Sequence, residues 1–191
     1  MKASTFLALI VAILCVAPRA TSAQPYTTAA AGVGWNHIDC SSANLACEKT
    51  DIAFKLIGGY RVAPWIAAEA VYLDFGKGRQ SNRFVEDTLK SSAFGGGVAF
   101  HGTAASWTVT ARAGAAWAAA ERTVQFGNLT PSSSTSNEVA PYGGVAIGYR
   151  FSRYAALAFG FDAMKSRWER SDGLGLEWIA TAATAGVTIG R

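Results

Sequence analysis

The chain has 191 residues, is half hydrophobic, and carries 16% charged residues with a formal net charge of +4. This length fits one domain, and past the N-terminal segment no uninterrupted apolar stretch reaches the roughly 20 residues that a spanning helix needs. So small a charge excess points away from a nucleic-acid partner, and two histidines with three cysteines leave too few ligands for a metal centre, so neither metal nor cofactor is expected.

In chain order, Lys2 gives a positive start, Thr5 to Ala17 is apolar, and Ala20 to Ala23 are small residues. This is the anatomy of a secretory signal peptide, cut after Ala23 or, as the second choice, after Ala20. The expected division is a signal peptide at 1–23 and one domain at 24–191. Losing Lys2 and Arg19 lowers the net charge from +4 to +2. Cys15 leaves as well. In the oxidising compartment beyond the inner membrane, Cys40 and Cys47 are expected to form a short-loop disulfide.

Beyond the leader, apolar residues recur with period two in segments separated by turn signals, the pattern of membrane-crossing strands. The candidates are 26–38, 51–61, 65–75, 89–100, 107–119, 139–151, 154–165 and 176–190. In 51–61, Ile52, Phe54, Leu56 and Tyr60 share one parity, and Asp51, Lys55, Gly59 and Arg61 the other. In 65–75, Glu69 opposes Tyr72 in parity. In 107–119, a row from Trp107 through Val109, Ala111, Ala113 and Ala115 to Trp117 opposes Thr108, Thr110, Arg112 and Gly114. In 139–151, Val139, Val145, Ile147, Tyr149 and Phe151 oppose Tyr142, Gly144 and Arg150, with Glu138 just before them on that second parity.

The connections alternate. Those at 62–64, 101–105 and 152–153 are short, whereas 39–49, 76–88, 126–137 and 166–175 are long and polar. Short periplasmic turns and longer external loops give this rhythm in an antiparallel outer-membrane barrel. The fold expected is therefore all-β: an eight-stranded antiparallel up-and-down transmembrane β-barrel in the bacterial outer membrane. Closure follows from backbone chemistry, because an open edge in lipid leaves N–H and C=O groups unpaired. The main alternative is a soluble lipocalin-like barrel, in which the apolar row faces inward.

The segment Asp51 to Gly76 carries Thr50-Asp51, Gly58-Gly59-Tyr60-Arg61, Pro64, Glu69 and Tyr72-Leu73-Asp74-Phe75-Gly76, behind a first loop bounded by cysteines. In these residues the chain resembles the OmpA-like transmembrane barrel superfamily, including small porin and opacity-type surface proteins. The resemblance extends more loosely over 26–190. It implies an eight-stranded barrel inserted by the barrel-assembly machinery. One departure is that Arg191 stands where such barrels commonly end on an aromatic residue.

Parity places Lys55, Glu69, Arg112, Glu138, Arg150, Asp162 and, more weakly, Glu177 inside the barrel. Ionisable residues within a spanning region are candidate functional groups, yet an eight-stranded barrel is about wide enough only for side chains to fill it. A plugged, salt-bridged lumen is preferred to a narrow pore, and Lys55 with Glu69, on consecutive strands, is the first pair to examine. Trp35, Trp65, Trp107, Trp117, Trp168 and Trp178 lie near strand ends, which suits interfacial anchoring. His37 is read as a girdle residue and His101 as a turn residue; neither has a serine partner that suggests hydrolysis, so no enzyme is expected. The function expected is a structural and surface-interaction role with four external loops. The alternatives are a narrow porin-like conduit and, last, a lipid A-modifying enzyme. The expected partners are outer-membrane lipid, the assembly machinery and an external ligand or host surface.

Overall fold

The structure, a computed structural model, describes residues 24–36, 46–81, 85–127, 130–169 and 175–190, without the side chains of 166–178. The signal segment, His37, Cys40 and Arg191, and the side chains of Trp168, Glu177 and Trp178, lie outside the described residues. The strands are β1 (Gln24–Asn36), β2 (Ala46–Glu48), β3 (Thr50–Ala63), β4 (Ile66–Ser81), β5 (Val85–Ala104), β6 (Trp107–Phe126), β7 (Ser132–Arg150), β8 (Ala155–Glu169) and β9 (Gly175–Gly190). All of them but β2 form an eight-stranded antiparallel barrel, in which each strand pairs with the next and β1 pairs with β9 from Tyr26↔Gly190 to Asn36↔Ala180. The ring has no open edge along the closed part, as the lack of water in a bilayer requires. Among the described residues no helix is long and apolar enough to cross a membrane.

Side-chain alternation settles which face is which. Ile52, Phe54, Leu56, Val145, Ile147, Leu157, Phe159 and Phe161 are exposed on the outer surface, while Lys55, Ile57, Glu69, Val71, Leu73 and Phe75 are buried inside. The lipocalin-like alternative, with the apolar row inward, fails on this arrangement. The apolar belt has aromatic rims. Near the short turns Trp65 stacks on Phe100 with centroids 6.2 Å apart, and Trp107 meets Tyr149 edge-on at 5.0 Å. Further along β6, Trp117 is 58% exposed and pairs with Phe94, which pairs in turn with Tyr72. Trp107 and Trp117 are ten residues apart on one strand. At about 3.3 Å per residue and a tilt of about 40°, that separation spans about 25 Å, the height of the apolar band in outer-membrane barrels.

β5 and β6 have 20 residues each and β7 has 19, about twice the roughly 9–11 that cross a bilayer. The surplus stands clear of the membrane at the end opposite the short turns. Most of the expected loops at 76–88 and 126–137 are therefore strand: β4 runs on to Ser81, β5 starts at Val85, and β7 starts at Ser132. These segments carry no apolar row because neither lipid nor a core meets them, yet ladder hydrogen bonds need only a neighbouring backbone. Cross-strand ion pairs reinforce them, with Arg79 Nε 3.2 Å from Glu86 and Arg122 donating to both oxygens of Asp87.

The expected loop at 39–49 likewise contains β2, which pairs with β4 from Ala46↔Ser81 to Glu48↔Arg79. β4 changes partner from β3 to β2 across a bulge between Asp74 and Lys77, where Gly76 takes φ +75°. On the far side, pairing of β7 with β8 stops at Tyr142↔Met164. The next residue on β7, Pro141, has no N–H to offer. Above the belt, β2 and β4–β7 thus form one sheet and β8–β9 a separate hairpin.

Candidate functional site

The lumen concentrates the buried polar chemistry. From the long-hairpin side, Val71, Leu73, Phe75 and Met164 fill it, each no more than 1% exposed, with the alanines of β6 packed against them. Below this apolar plug lies a layer of four charges. Lys55 on β3 is ion-paired with Asp162 on β8. Arg112 on β6 donates from Nε to Glu69 of β4 at 3.1 Å and from an η nitrogen to Asp162 at 3.4 Å. Tyr26 on β1 donates its hydroxyl to the other oxygen of Glu69 at 2.5 Å. Every one of these contacts links strands that are not neighbours in the ring. The network therefore braces the barrel across its interior, which ladder hydrogen bonds cannot do.

Small residues make the room. A Cβ on Gly144 would stand 2.3 Å from Asp162 Oδ1, and one on Gly59 would stand 2.2 Å from the Tyr26 ring. Glycine at these two positions lets the side chain of its cross-strand partner lie flat over the neighbouring strand.

Parity identifies the face of each candidate charge, but the structure adjusts the pairing. Lys55 and Glu69 are not paired with one another; each meets an opposite charge from another strand. Glu138 is half-buried beside Ala140 on the long-hairpin side and takes no part in the four-charge layer. Arg150 is not a lumen charge. It is the last residue of β7, is exposed, and donates to the Ala105 carbonyl at 2.8 Å, because the inward-outward alternation loses its meaning where a strand ends in a turn.

His101 is not a turn residue. β5 continues to Ala104, and the turn closes through Ala105 with φ 52°. The His101 ring points inward, with Nδ1 3.0 Å from Thr110 Oγ1 and Nε2 3.4 Å from the Tyr26 hydroxyl. Tyr26 and His101 are thus members of the site that sequence reading missed. For Tyr26 the usable signal was its parity with Thr28 and Ala30.

Between this layer and the short turns the lumen holds a partly open cavity of about 70 Å³, lined by Tyr26, Lys55, Arg61, His101, Arg112 and Thr184 among others. Arg61 lies over the Tyr26 ring, with its guanidinium carbon 5.4 Å from the centroid. The arrangement can hold a polar guest and can exchange protons or hydrogen bonds along Thr110, His101, Tyr26 and Glu69.

Residues 6–177 match the family model described as the outer membrane protein beta-barrel domain. Among solved structures, Neisserial surface protein A is 16% identical with a TM-score of 0.59, over 86% of this chain and 96% of that one. Ail, the attachment invasion locus protein of Yersinia pestis, is 12% identical at 0.50, covering 87% and 98%. OprG from Pseudomonas aeruginosa is 10% identical at 0.51, covering 88% and 95%. At such identities the likeness is one of fold. No curated relative matches the chain.

Proposed function

The chain belongs to the outer membrane protein beta-barrel domain family, and from that premise we propose that it is a structural and surface-interaction protein of the bacterial outer membrane, anchored by the belt and presenting the extended hairpins outward. The observation that carries this reading is strand length: 19 or 20 residues in β5–β7 raise a paired, polar sheet well clear of the lipid. A barrel that only spanned the membrane would not need it. A filled lumen supports a structural role: Phe75, Leu73 and Met164, each no more than 1% exposed, pack the interior on the long-hairpin side.

Protease added to intact cells is the test. Cleavage is expected between β4 and β5 and between β6 and β7, with the turns at Ala105 and Ser152 spared until the outer membrane is opened. Cleavage at those turns with the hairpins protected would reverse the orientation.

A second reading, a narrow pore, draws on the cavity below the charged layer. In planar bilayers the plugged barrel is expected to give no reproducible unitary conductance, and discrete steps would favour the pore. The proposal is also non-enzymatic: His101 contacts a threonine and a tyrosine inside the lumen, on the face turned away from the lipid.

A further inference from the structure

The charges are unevenly placed along the lumen. Lys55 and Arg112 are matched by Asp162 and Glu69, which leaves Arg61 as a third cation. Among the described residues no carboxylate is in ion-pair contact with it. Its Nε is buried and lacks a hydrogen-bond partner, and so does Thr184 Oγ1. Both residues line the same cavity. Stacking on Tyr26 offsets part of the charge but gives the Nε–H no acceptor.

Of the cations around the cavity, Lys55 and Arg112 are paired with carboxylates and Arg61 is not. The cavity wall includes Lys55, Arg61 and Arg112 and no carboxylate residue. Toward the turns, the segments 24–29, 56–68, 98–111, 145–161 and 183–190 contain Arg61, His101, Arg150 and Arg153 but neither Asp nor Glu. A low-dielectric wall around Arg61, with no carboxylate beside it, leaves a positive potential at this end of the lumen. Water could fill hydrogen bonds there but would leave the charge uncompensated.

We propose that this turn-end cavity is a binding site for a small oxyanion, inorganic phosphate or a short carboxylate, held by the Arg61 guanidinium with the Thr184 hydroxyl as a second donor. The volume fits: about 70 Å³, where a water needs roughly 10–15 Å³ on the same measure, accommodates a group of four or five heavy atoms. The charge-assisted bond from Arg61 carries the affinity and the neutral hydroxyl a smaller share. This goes beyond the surface role and does not depend on which end of the barrel faces the cell exterior.

The test is calorimetric titration of the full-length refolded barrel in uncharged detergent with phosphate and, separately, with acetate. Saturable binding of at least one of them is expected, weakened about tenfold or more in Arg61→Gln and about threefold in Thr184→Val. Arg153→Gln, on the exposed turn, is expected to change affinity less than Arg61→Gln. The heat-dependent gel shift of each variant establishes that it still folds; if Arg61→Gln does not fold, Thr184→Val decides alone. No saturation with either anion, equal binding by wild type and the informative variant, or a larger loss in Arg153→Gln would each overturn the assignment.

Discussion

Arg112→Met is expected to cost the folded barrel about 3–5 kcal/mol, the price of leaving buried charge unpaired. Arg112 is shared by Glu69 and Asp162, so its loss strips Glu69 of the cation it is paired with and weakens the hold on Asp162. Both carboxylates lie within the 0–5% exposure range and cannot turn to water. A methionine fills most of the vacated volume, so the effect reads charge and not cavity. Urea unfolding of the refolded protein in lipid vesicles, followed by tryptophan fluorescence and by gel mobility, measures it.

The control is Lys55→Met together with Asp162→Leu. Removing both members of a pair leaves no orphan and often costs little or nothing. The double variant is therefore expected to lose much less than Arg112→Met, although Arg112 then forfeits one of its two acceptors. If Arg112→Met unfolded at the wild-type urea concentration, the lumen at that level would have to be hydrated, and the bracing role of the network would fall.

The same pair shows what a sequence can and cannot reveal. Period-two patterning identified all eight barrel strands and assigned Lys55, Glu69, Arg112 and Asp162 to one face, because lipid imposes a strict alternation on whatever crosses it. It could not say which charges meet. Lys55 and Asp162 are 107 residues apart and reach each other across the lumen, past β1 and β9. Their contact depends on the stagger of the closed ring, which no local pattern encodes.

The extensions of β5–β7 were illegible for the opposite reason. Outside the lipid both faces of a strand meet water, so Ser132 to Asn137 reads like any polar loop although it pairs with Ala119 to Val124 along its whole length. His101 was misplaced because Gly102, Thr103, Ala104 and Ala105 resemble a turn, whereas three of them continue the ladder to Trp107. Arg61 had the correct parity from the start. Its meaning emerged only with the neighbours it lacks.

Val145→Arg is expected to destabilise the inserted barrel by about 2–4 kcal/mol, the range for a cation on the lipid face near the bilayer midplane. Val145 is 56% exposed on the outer surface and pairs with Ala111, close to the midpoint between Trp107 and Trp117 on β6. A matching change at the rim, Val62→Arg, is expected to cost only about 0–1 kcal/mol, since arginine there reaches the headgroups. Val62 is 45% exposed and sits at the short-turn end of β3. The ratio of the two penalties is the informative quantity. On a water-exposed surface both substitutions would fall within about 0.5 kcal/mol of wild type, so equal small effects would mean that no membrane covers this face. A large penalty confined to Val145 locates the apolar belt by energy, independently of the aromatic rims that mark it by geometry.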